Sequence, residues 1–367
     1  MKAIAIIPGK GSPHFIEIPK PQITNDTQII LETLQVGICG TDRAEISGGR
    51  VIPENGKSEL IIGHEMIGRV IETGSRVSST KPGDFGLFTV RRGCRKCYPC
   101  NNGRSDFCET GDYIEHGIKG LDGFQAEYVI DDEEYFINVP AEISSIGVLV
   151  EPMSIVEKAL EQALQIQAVR LPDSEIPDWP KGVNVLIAGL GPVGILAALI
   201  LKIKGANLYG LDIVEEDSPR AMVIRDLGGT YINGKEIKTK DIDDHFGKFE
   251  IVFEATGVTK LGFQLVETLN INGIYIITGI PEDKKPISIL GGELLRNLVL
   301  NNQIFLGSVN AGNDHYNMAV DHLLTANREW PEITGSIITE VVNHQDFTRA
   351  FAFIEDEIKT VIEWKKI

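Results

Sequence analysis

The spacing of apolar and polar positions changes twice along the chain. Over roughly the first 140 residues the apolar positions fall in short alternating or β-branched runs: KAIAII, HFIEIP, QIILETLQVGI, MIGRVIETG, DFGLFT and AEYVI. Gly, Pro, Asn or Asp bounds these runs. That rhythm predicts a β-rich lobe. From about residue 146 the run IGVLVEPMSIVEKALEQAL has helical spacing, and RLPDSEIPDWPKG after it reads as a linker or surface loop. VNVLIAGLGPVGILAALILKIKG then spells a buried strand, a glycine turn and a helix apolar on nearly every side. ANLYGLDI, FEIVFEATG and NGIYIITGI follow as strands at βα spacing, which predicts a parallel sheet with crossover helices. The tail, from about residue 300, returns to short mixed elements. No internal repeat or low-complexity tract interrupts the pattern.

Composition sharpens this picture at three points. A chain of 367 residues, 43% hydrophobic, is long enough for two cores. Its 38 glycines favour strands, tight turns and phosphate-binding loops over a helical bundle. A net charge of −17 repels phosphate backbones and anionic lipid, so nucleic acid and membrane are poor partners. The N-terminal apolar run meets Pro8 and Gly9 too early for a signal peptide. No run approaches the ~20 apolar residues of a membrane span. The expectation is a soluble, cytoplasmic protein.

GLGPVG sets Gly189, Gly191 and Gly194, with Pro192 and Val193, in a G-x-G-x-x-G pattern between a strand and a helix. The first glycine allows a tight turn, the second lets backbone approach a pyrophosphate, and the third lets the helix pack on the strand. Asp212 closes the next strand, 18 positions after Gly194. A carboxylate there accepts both ribose hydroxyls and repels a 2′-phosphate, so NAD is expected in preference to NADP. Arg220 and Arg225 fall on the next helix, where a solvated face is the default.

Four of the five cysteines crowd one loop: Cys94, Cys97, Cys100 and Cys108, in the pattern C-x2-C-x2-C-x7-C. Four thiolates on a short loop match a closed, structural zinc site. An iron–sulfur cluster is the rival, but the bacterial ferredoxin run places its fourth cysteine three residues after the third, followed by proline. Here the gap is seven and Glu109 follows. The fifth cysteine, Cys39 in GICGTD, precedes His64 and Glu65 by 25 and 26 residues, and Glu151 lies in VEPMS. Cys, His and Glu with an open position make a catalytic type of zinc site, although spacing alone does not join these four. A lone cysteine is usually a small hydrophobe.

GICGTD, GHEMIGRVIETG, the four-cysteine loop, EPMS, GLGPVG and EATG, in this order, resemble the zinc-dependent medium-chain alcohol dehydrogenase superfamily over essentially the whole chain. Within it the chain is similar to archaeal-type glucose (aldose) 1-dehydrogenases. That resemblance rests on RRGC (Arg91 to Cys94), DFCETG (Asp106 to Gly111) followed by Glu115, the DGF turn (Asp122 to Phe124), and Val309–Asn310. It implies an α/β protein with a GroES-like β-rich catalytic domain over residues 1–182, carrying a structural zinc lobe at 91–112. A Rossmann doubly wound parallel-sheet domain would span 183–306, and 307–367 would return to the catalytic domain.

The same resemblance implies two zinc ions per chain. Cys39, His64 and Glu151 would bind the catalytic one, with Glu65 an adjacent or exchanging ligand. Thr41 would hydrogen-bond the reacting hydroxyl and begin a proton relay. Glu115, Glu151 and Asn310 would hold sugar hydroxyls. Ala255, Thr256, Gly257, Thr278, Gly279, Ser308 and Asn310 would line the cofactor site. The implied reaction is oxidation of the C1 hydroxyl of an aldose of the glucose or galactose type to an aldonolactone, with NAD preferred, NADP possible, and a homodimer or homotetramer as the working form.

The chain departs from the glucose dehydrogenase pattern in two places. LDIVEED stands where a basic pair suited to NADP is often found, and Thr89–Val90 stand where one subgroup has a sugar-contacting Asn. A polyol, secondary-alcohol or threonine dehydrogenase is the alternative within the superfamily. A non-enzymatic zinc- and nucleotide-binding protein is the alternative outside enzymology, though such a protein would not need Cys39, His64, Glu65 and Glu151 together. Among the remaining polar residues, Asp42 reads as a structural acceptor and His116 as a rim residue. His14, His245, His315, His322 and His344 have no ligand-like setting, and DDEEY and EIKTKDIDDH read as solvated faces.

Overall fold

A computed structural model describes residues 1–48, 51–171, 179–281, 286–352, 354 and 356–367. Most of the proline-rich stretch expected to be a linker, residues 172–178, lies outside the described residues. The chain divides into two compact units. The first comprises Met1–Ser154, Asn310–Ile354 and Lys359–Ile367; the second comprises Ile155–Val309 and Glu355–Ile358. The division falls within a single helix, Val150–Arg170.

In the first unit the alternating and β-branched runs become mostly antiparallel strands, the innermost of which, such as Lys2–Ile6 and Gln28–Ile38, are buried on both faces. The long strand Gln28–Ile38 is the axis of this sheet. It pairs with Glu65–Thr73 on one side, and with the C-terminal strand Lys359–Glu363 and Tyr128–Asp132 over different parts of its length. Ile29, Ile30, Leu31, Leu34 and Val36 are fully buried along it. In place of the short mixed elements expected of the tail, a 17-residue helix forms over Asn313–Glu329. Its many polar residues mask a helical period that burial reveals at His315, Tyr316, Ala319, Val320, Leu323 and Ala326.

The second unit carries, among the described residues, a six-stranded parallel sheet. Its order is Thr230–Asn233, Asn207–Asp212, Asn184–Ala188, Phe249–Glu254, Leu269–Ile277, Ile304–Gly307. Order reverses at Asn184–Ala188, the switch point where doubly wound sheets bind ligands at the carboxyl ends of their strands. The helix after it, Pro192–Ile203, buries every residue from Gly194 to Leu201, which explains its nearly uniform apolar sequence. The expected α/β architecture, a β-rich GroES-like part and a Rossmann-type parallel sheet, is what the chain forms.

Two polar readings are corrected by the first unit. His116 is not on a rim: it is buried, its Nδ1 donates to the Asp122 carbonyl at 2.6 Å, and its ring packs on Phe124. Nor is the DDEEY run wholly solvated. Asp131 lies 2.9 Å from His116 Nε2 and pairs with Arg92, whose guanidinium also lies over the Tyr135 ring. Burial opposes the charge on Asp131, but His116 and Arg92 overcome it and hold the carboxyl at about 2. A carboxyl lowered on folding adds stability above its unfolded pKa, near 4, and loses it as pH falls towards 2. Asp131→Asn is therefore expected to cost about 2 kcal/mol at pH 7, with the gap to wild type closing between pH 4 and 2 in denaturant melts. A gap constant across that range would count against this origin.

Candidate active site

The first unit assembles the donors around Cys39. Strand Gln28–Ile38 ends there, and Cys39 caps the short helix Gly40–Ile46. The Thr41 amide donates to Cys39 Sγ at 3.2 Å, while the Asp42 carboxylate accepts from the Cys39 amide at 2.8 Å. These two bonds fix the thiol and set Thr41 beside it. In the adjacent strand, Glu65 faces Gly37 in antiparallel register. Cys39 Sγ lies 3.1 Å from His64 Nε2, and the ligand atoms of Cys39, His64 and Glu65 all lie within 4.8 Å of one another. Glu151 is buried at the start of helix Val150–Arg170 but does not belong to that three-donor group.

Electrostatics show why these residues need a cation. Burial pushes the Cys39 thiol up; His64 opposes this and Asp42 adds to it. Burial likewise raises Glu151 to about 8, with His64 opposing and Glu65 adding. Burial works against a charge on His64, yet Cys39 and Asp42 raise it well above its ordinary value. Out of water the thiol and the two carboxyls disfavour one another's charge and the imidazole offsets only part of this, so a divalent cation would complete the balance. That donor chemistry fits a zinc ion with an open position.

One cation is already built in. Lys359, the first residue of the C-terminal strand, is fully buried; its ammonium pairs with Glu65 and donates to the Ile38 carbonyl at 3.0 Å. Burial disfavours its charge, but Glu65 and Cys39 raise its pKa. Gly37 makes the pair possible, since a Cβ there would stand 2.1 Å from Glu65 Oε2 and 2.8 Å from Lys359 Cε. No sequence motif pointed to Lys359, which reaches this place through the pairing of the last strand with Gln28–Ile38.

The four-cysteine loop forms a second group in the same unit. The sulfurs of Cys94, Cys97, Cys100 and Cys108 lie within 4.8 Å of one another. The Lys96 and Cys97 amides donate to Cys94 Sγ at 3.4 Å each. Hydrogen bonds from Thr110 and these amides lower the Cys94 thiol to about 6, towards the thiolate a metal takes. Four convergent sulfurs with N–H···S bonds fit a closed zinc site. Glu115 and Asn310 also meet: Asn310 Nδ2 donates to Glu115 Oε1 at 2.8 Å across a separation of 195 residues.

The second unit holds a cavity of about 320 Å³ at the carboxyl ends of its parallel strands. Gly189, Gly191, Asp212, Ala255 and Thr256 line it. A Cβ on Gly194 would stand 1.9 Å from the Gly189 carbonyl, so the helix packs on the turn only with glycine there. Nothing would meet a Cβ on Gly191, which caps the helix and leaves its approach open. Asp212 accepts from the Leu190 and Ile213 amides at 2.8 and 2.7 Å, which sets its carboxylate at the pocket wall.

Two residues in or beside this pocket change the sequence reading. Arg220 is not on a solvated face: only 18% of its side chain is exposed, it lines the cavity, and Nη1 lies 3.7 Å from Asp212. Arg225 does stay outside, paired with Glu216. Glu254 of EATG is buried and ties together two loops, 255–257 and 278–279. It accepts from the Thr256 and Gly257 amides at 2.7 and 3.1 Å, and its backbone carbonyl accepts from the Thr278 hydroxyl at 3.0 Å. Gly279 leaves room for it, since a Cβ there would come within 2.7 Å of Glu254 Oε2. Ser308 bonds Gln162 at 3.4 Å.

A buried Cys–His–Glu donor group, a four-cysteine loop and a glycine-turn pocket under an acidic strand end define a zinc-dependent dehydrogenase of the medium-chain class. Known proteins agree. The alcohol dehydrogenase GroES-like domain matches residues 25–141, and the glucose dehydrogenase C-terminus matches residues 144–364. Glucose 1-dehydrogenase 2 of Vulcanisaeta moutnovskia is 36% identical, covering 99% of both chains; glucose 1-dehydrogenase of Thermoproteus tenax is 35% identical over the same shares. The solved glucose dehydrogenase of Haloferax mediterranei, in complex with NADP, Zn and gluconolactone, superposes with a TM-score of 0.89 at 30% identity and covers all of both chains. The chain belongs to the glucose dehydrogenase family of the zinc-dependent medium-chain alcohol dehydrogenase superfamily.

Removing the buried Lys359 charge should be costly, because Glu65 is then left unpaired. Lys359→Met is expected to lose about 3–5 kcal/mol in denaturant melts, and adding Glu65→Gln should restore part of it. A single variant as stable as wild type would sink this view of the pair.

Proposed function

We propose that this protein oxidises the C1 hydroxyl of an aldose of the glucose or galactose type to the aldonolactone, with hydride transfer to NAD(P) and NAD preferred. The observation that carries the reading is the buried Cys39–His64–Glu65 donor group, in a chain 36% identical along its length to a glucose 1-dehydrogenase. The gluconolactone in the Haloferax complex is the product of this reaction class.

Cys39, His64 and Glu151, with Glu65 adjacent or exchanging, would hold a zinc ion that would supply Lewis acidity towards the C1 hydroxyl, and bound NAD(P) would be the hydride acceptor. The chain's own residues do the rest. Thr41, fixed beside Cys39 by its amide, accepts the hydroxyl proton's hydrogen bond and starts its path outward. Glu115, Glu151 and Asn310 bind sugar hydroxyls and so orient C1. Asp212 accepts the ribose hydroxyls, while Gly189, Gly191, Pro192, Val193 and Gly194 receive the pyrophosphate at the helix N-terminus. Ala255, Thr256, Gly257, Thr278, Gly279, Ser308 and Asn310 line the rest of the cofactor site. Cys94, Cys97, Cys100 and Cys108 hold the second zinc, which is structural.

NAD preference rests on Asp212, whose carboxylate repels a 2′-phosphate; Arg220 beside it leaves NADP usable. The working form is a cytoplasmic homodimer or homotetramer. Exposed Leu290, Leu295, Val299 and Leu300, on and beside helix Gly291–Leu300 of the second unit, support self-association.

Assays of NAD(P)H formation with glucose, galactose, xylose, sorbitol, threonine and simple alcohols test the reading. Aldoses are expected to lead; turnover of sorbitol or threonine alone would favour the polyol or threonine alternative. Cys39→Ser should abolish turnover and lower bound zinc from two per chain to one, and near-normal activity in that variant would refute the zinc chemistry. Asp212→Ala should shift the NAD/NADP ratio of kcat/KM towards NADP by at least about tenfold, equivalent to loss of one charge-assisted bond.

A further inference from the structure

Arg91, the first arginine of the RRGC run, has no role in the reaction as derived so far, yet it is among the most constrained side chains of the first unit. It is 8% exposed and lies directly opposite Glu115 where strands Arg91–Arg92 and Ile114–His116 pair. Its Nε and Nη2 both lie 2.9 Å from a single oxygen, Glu115 Oε1. Nη1 donates to the Asp106 carbonyl at 3.3 Å, within the four-cysteine loop, and the guanidinium lies 3.8 Å over the Tyr113 ring. Asn310 Nδ2 donates to the same Oε1 at 2.8 Å.

Oε1 thus accepts two N–H hydrogen bonds, from Arg91 Nε and Asn310 Nδ2, and has the charged Nη2 beside it, while Oε2 has no hydrogen-bond partner among the described residues. Asn310 is equally restrained. Its backbone is left-handed, with φ 62°, and its Oδ1 accepts the Ala311 amide at 2.8 Å. An arginine fork is planar and rigid, so it sets the orientation of a carboxylate as well as its charge. A lysine in its place would supply a point charge without that orientation.

We infer that Arg91 is a specificity-determining positioning residue: it saturates one oxygen of Glu115 and turns the other, Oε2, into a single fixed acceptor for one hydroxyl of the sugar. The inference rests on the aldose reading above and deepens it. It assigns the four-cysteine loop a part in substrate choice as well, since that loop holds Arg91 through Asp106. The predicted ligand feature is a hydroxyl donor at one ring position; a deoxy sugar lacking it leaves Oε2 unpaired and is rejected.

The test uses the zinc-loaded holoenzyme as wild type, Arg91→Lys, Arg91→Gln and Glu115→Gln. For each, kcat and KM are measured with glucose and with its 2-, 3-, 4- and 6-deoxy analogues, alongside KM for the cofactor, zinc per chain and Tm. Wild type is expected to reject one analogue sharply. In Arg91→Lys, KM for glucose should rise about 10- to 100-fold, the worth of a hydrogen bond to a charged group, with kcat nearly unchanged. Discrimination against the rejected analogue should fall by the same factor, as it should in Glu115→Gln, while cofactor KM and zinc content hold.

An unchanged glucose KM in Arg91→Lys and Arg91→Gln, with wild type active on glucose, overturns this inference alone. Loss of zinc or of the cooperative melt in both Arg91 variants marks a purely structural clamp and also overturns it. A wild-type enzyme that oxidises no aldose refutes the functional reading and this inference with it.

Discussion

The first unit is organised around the difficulty of keeping several ionisable donors out of water. Cys39, His64, Glu65 and Glu151 are mostly buried, and burial alone raises the thiol and Glu151 out of their charged states. An isolated buried carboxylate costs far more than a domain can spare. The fold meets this with Lys359, a fully buried ammonium on the last strand, and with a donor set that a divalent ion would neutralise. The axial strand Gln28–Ile38, the glycine at position 37 and the return of the C-terminus to the first sheet all serve that single placement.

The dinucleotide pocket is built on the opposite principle. Its ligand groups are backbone amides at a helix start, a carboxylate at a strand end and glycines that leave space, so little charge has to be buried. What is buried there, Glu254, is satisfied by neighbouring amides and holds two loops in register. One unit therefore relies on buried charge balance and the other on open backbone geometry. Substitutions should act accordingly, through electrostatics in the first and through steric approach in the second.

The Arg91–Glu115–Asn310 cluster and the Arg92–Asp131–His116 cluster share an economy. Adjacent arginines on one two-residue strand each anchor a different acidic partner, and each guanidinium stacks on a tyrosine. The first leaves Glu115 Oε2 without a hydrogen-bond partner among the described residues, whereas both Asp131 oxygens are engaged, Oδ2 by Arg92 and His116 and Oδ1 by the Asp132 amide. That contrast separates a candidate binding group from a structural one using the hydrogen-bond partners alone.

Much of this protein was legible along the chain. The βα rhythm gave away the parallel sheet, because strand and helix periods are local. The glycine turn, Asp212 and the four cysteines were legible because each motif sits within one short segment whose backbone brings its members together. Cys39, His64 and Glu65 could be gathered only through resemblance, since their meeting depends on two paired strands. What the tertiary structure alone decided lies at long separation or beneath a misleading polar pattern. Helix Asn313–Glu329 hid its buried stripe among polar residues, His116 and Asp131 looked exposed, and Arg220 turned inward to Asp212. Lys359 reached Glu65 from the far end of the chain. Local propensity encodes elements and contiguous motifs; which charges end up facing each other is settled by strand register and packing, and no run of neighbouring residues carries that information.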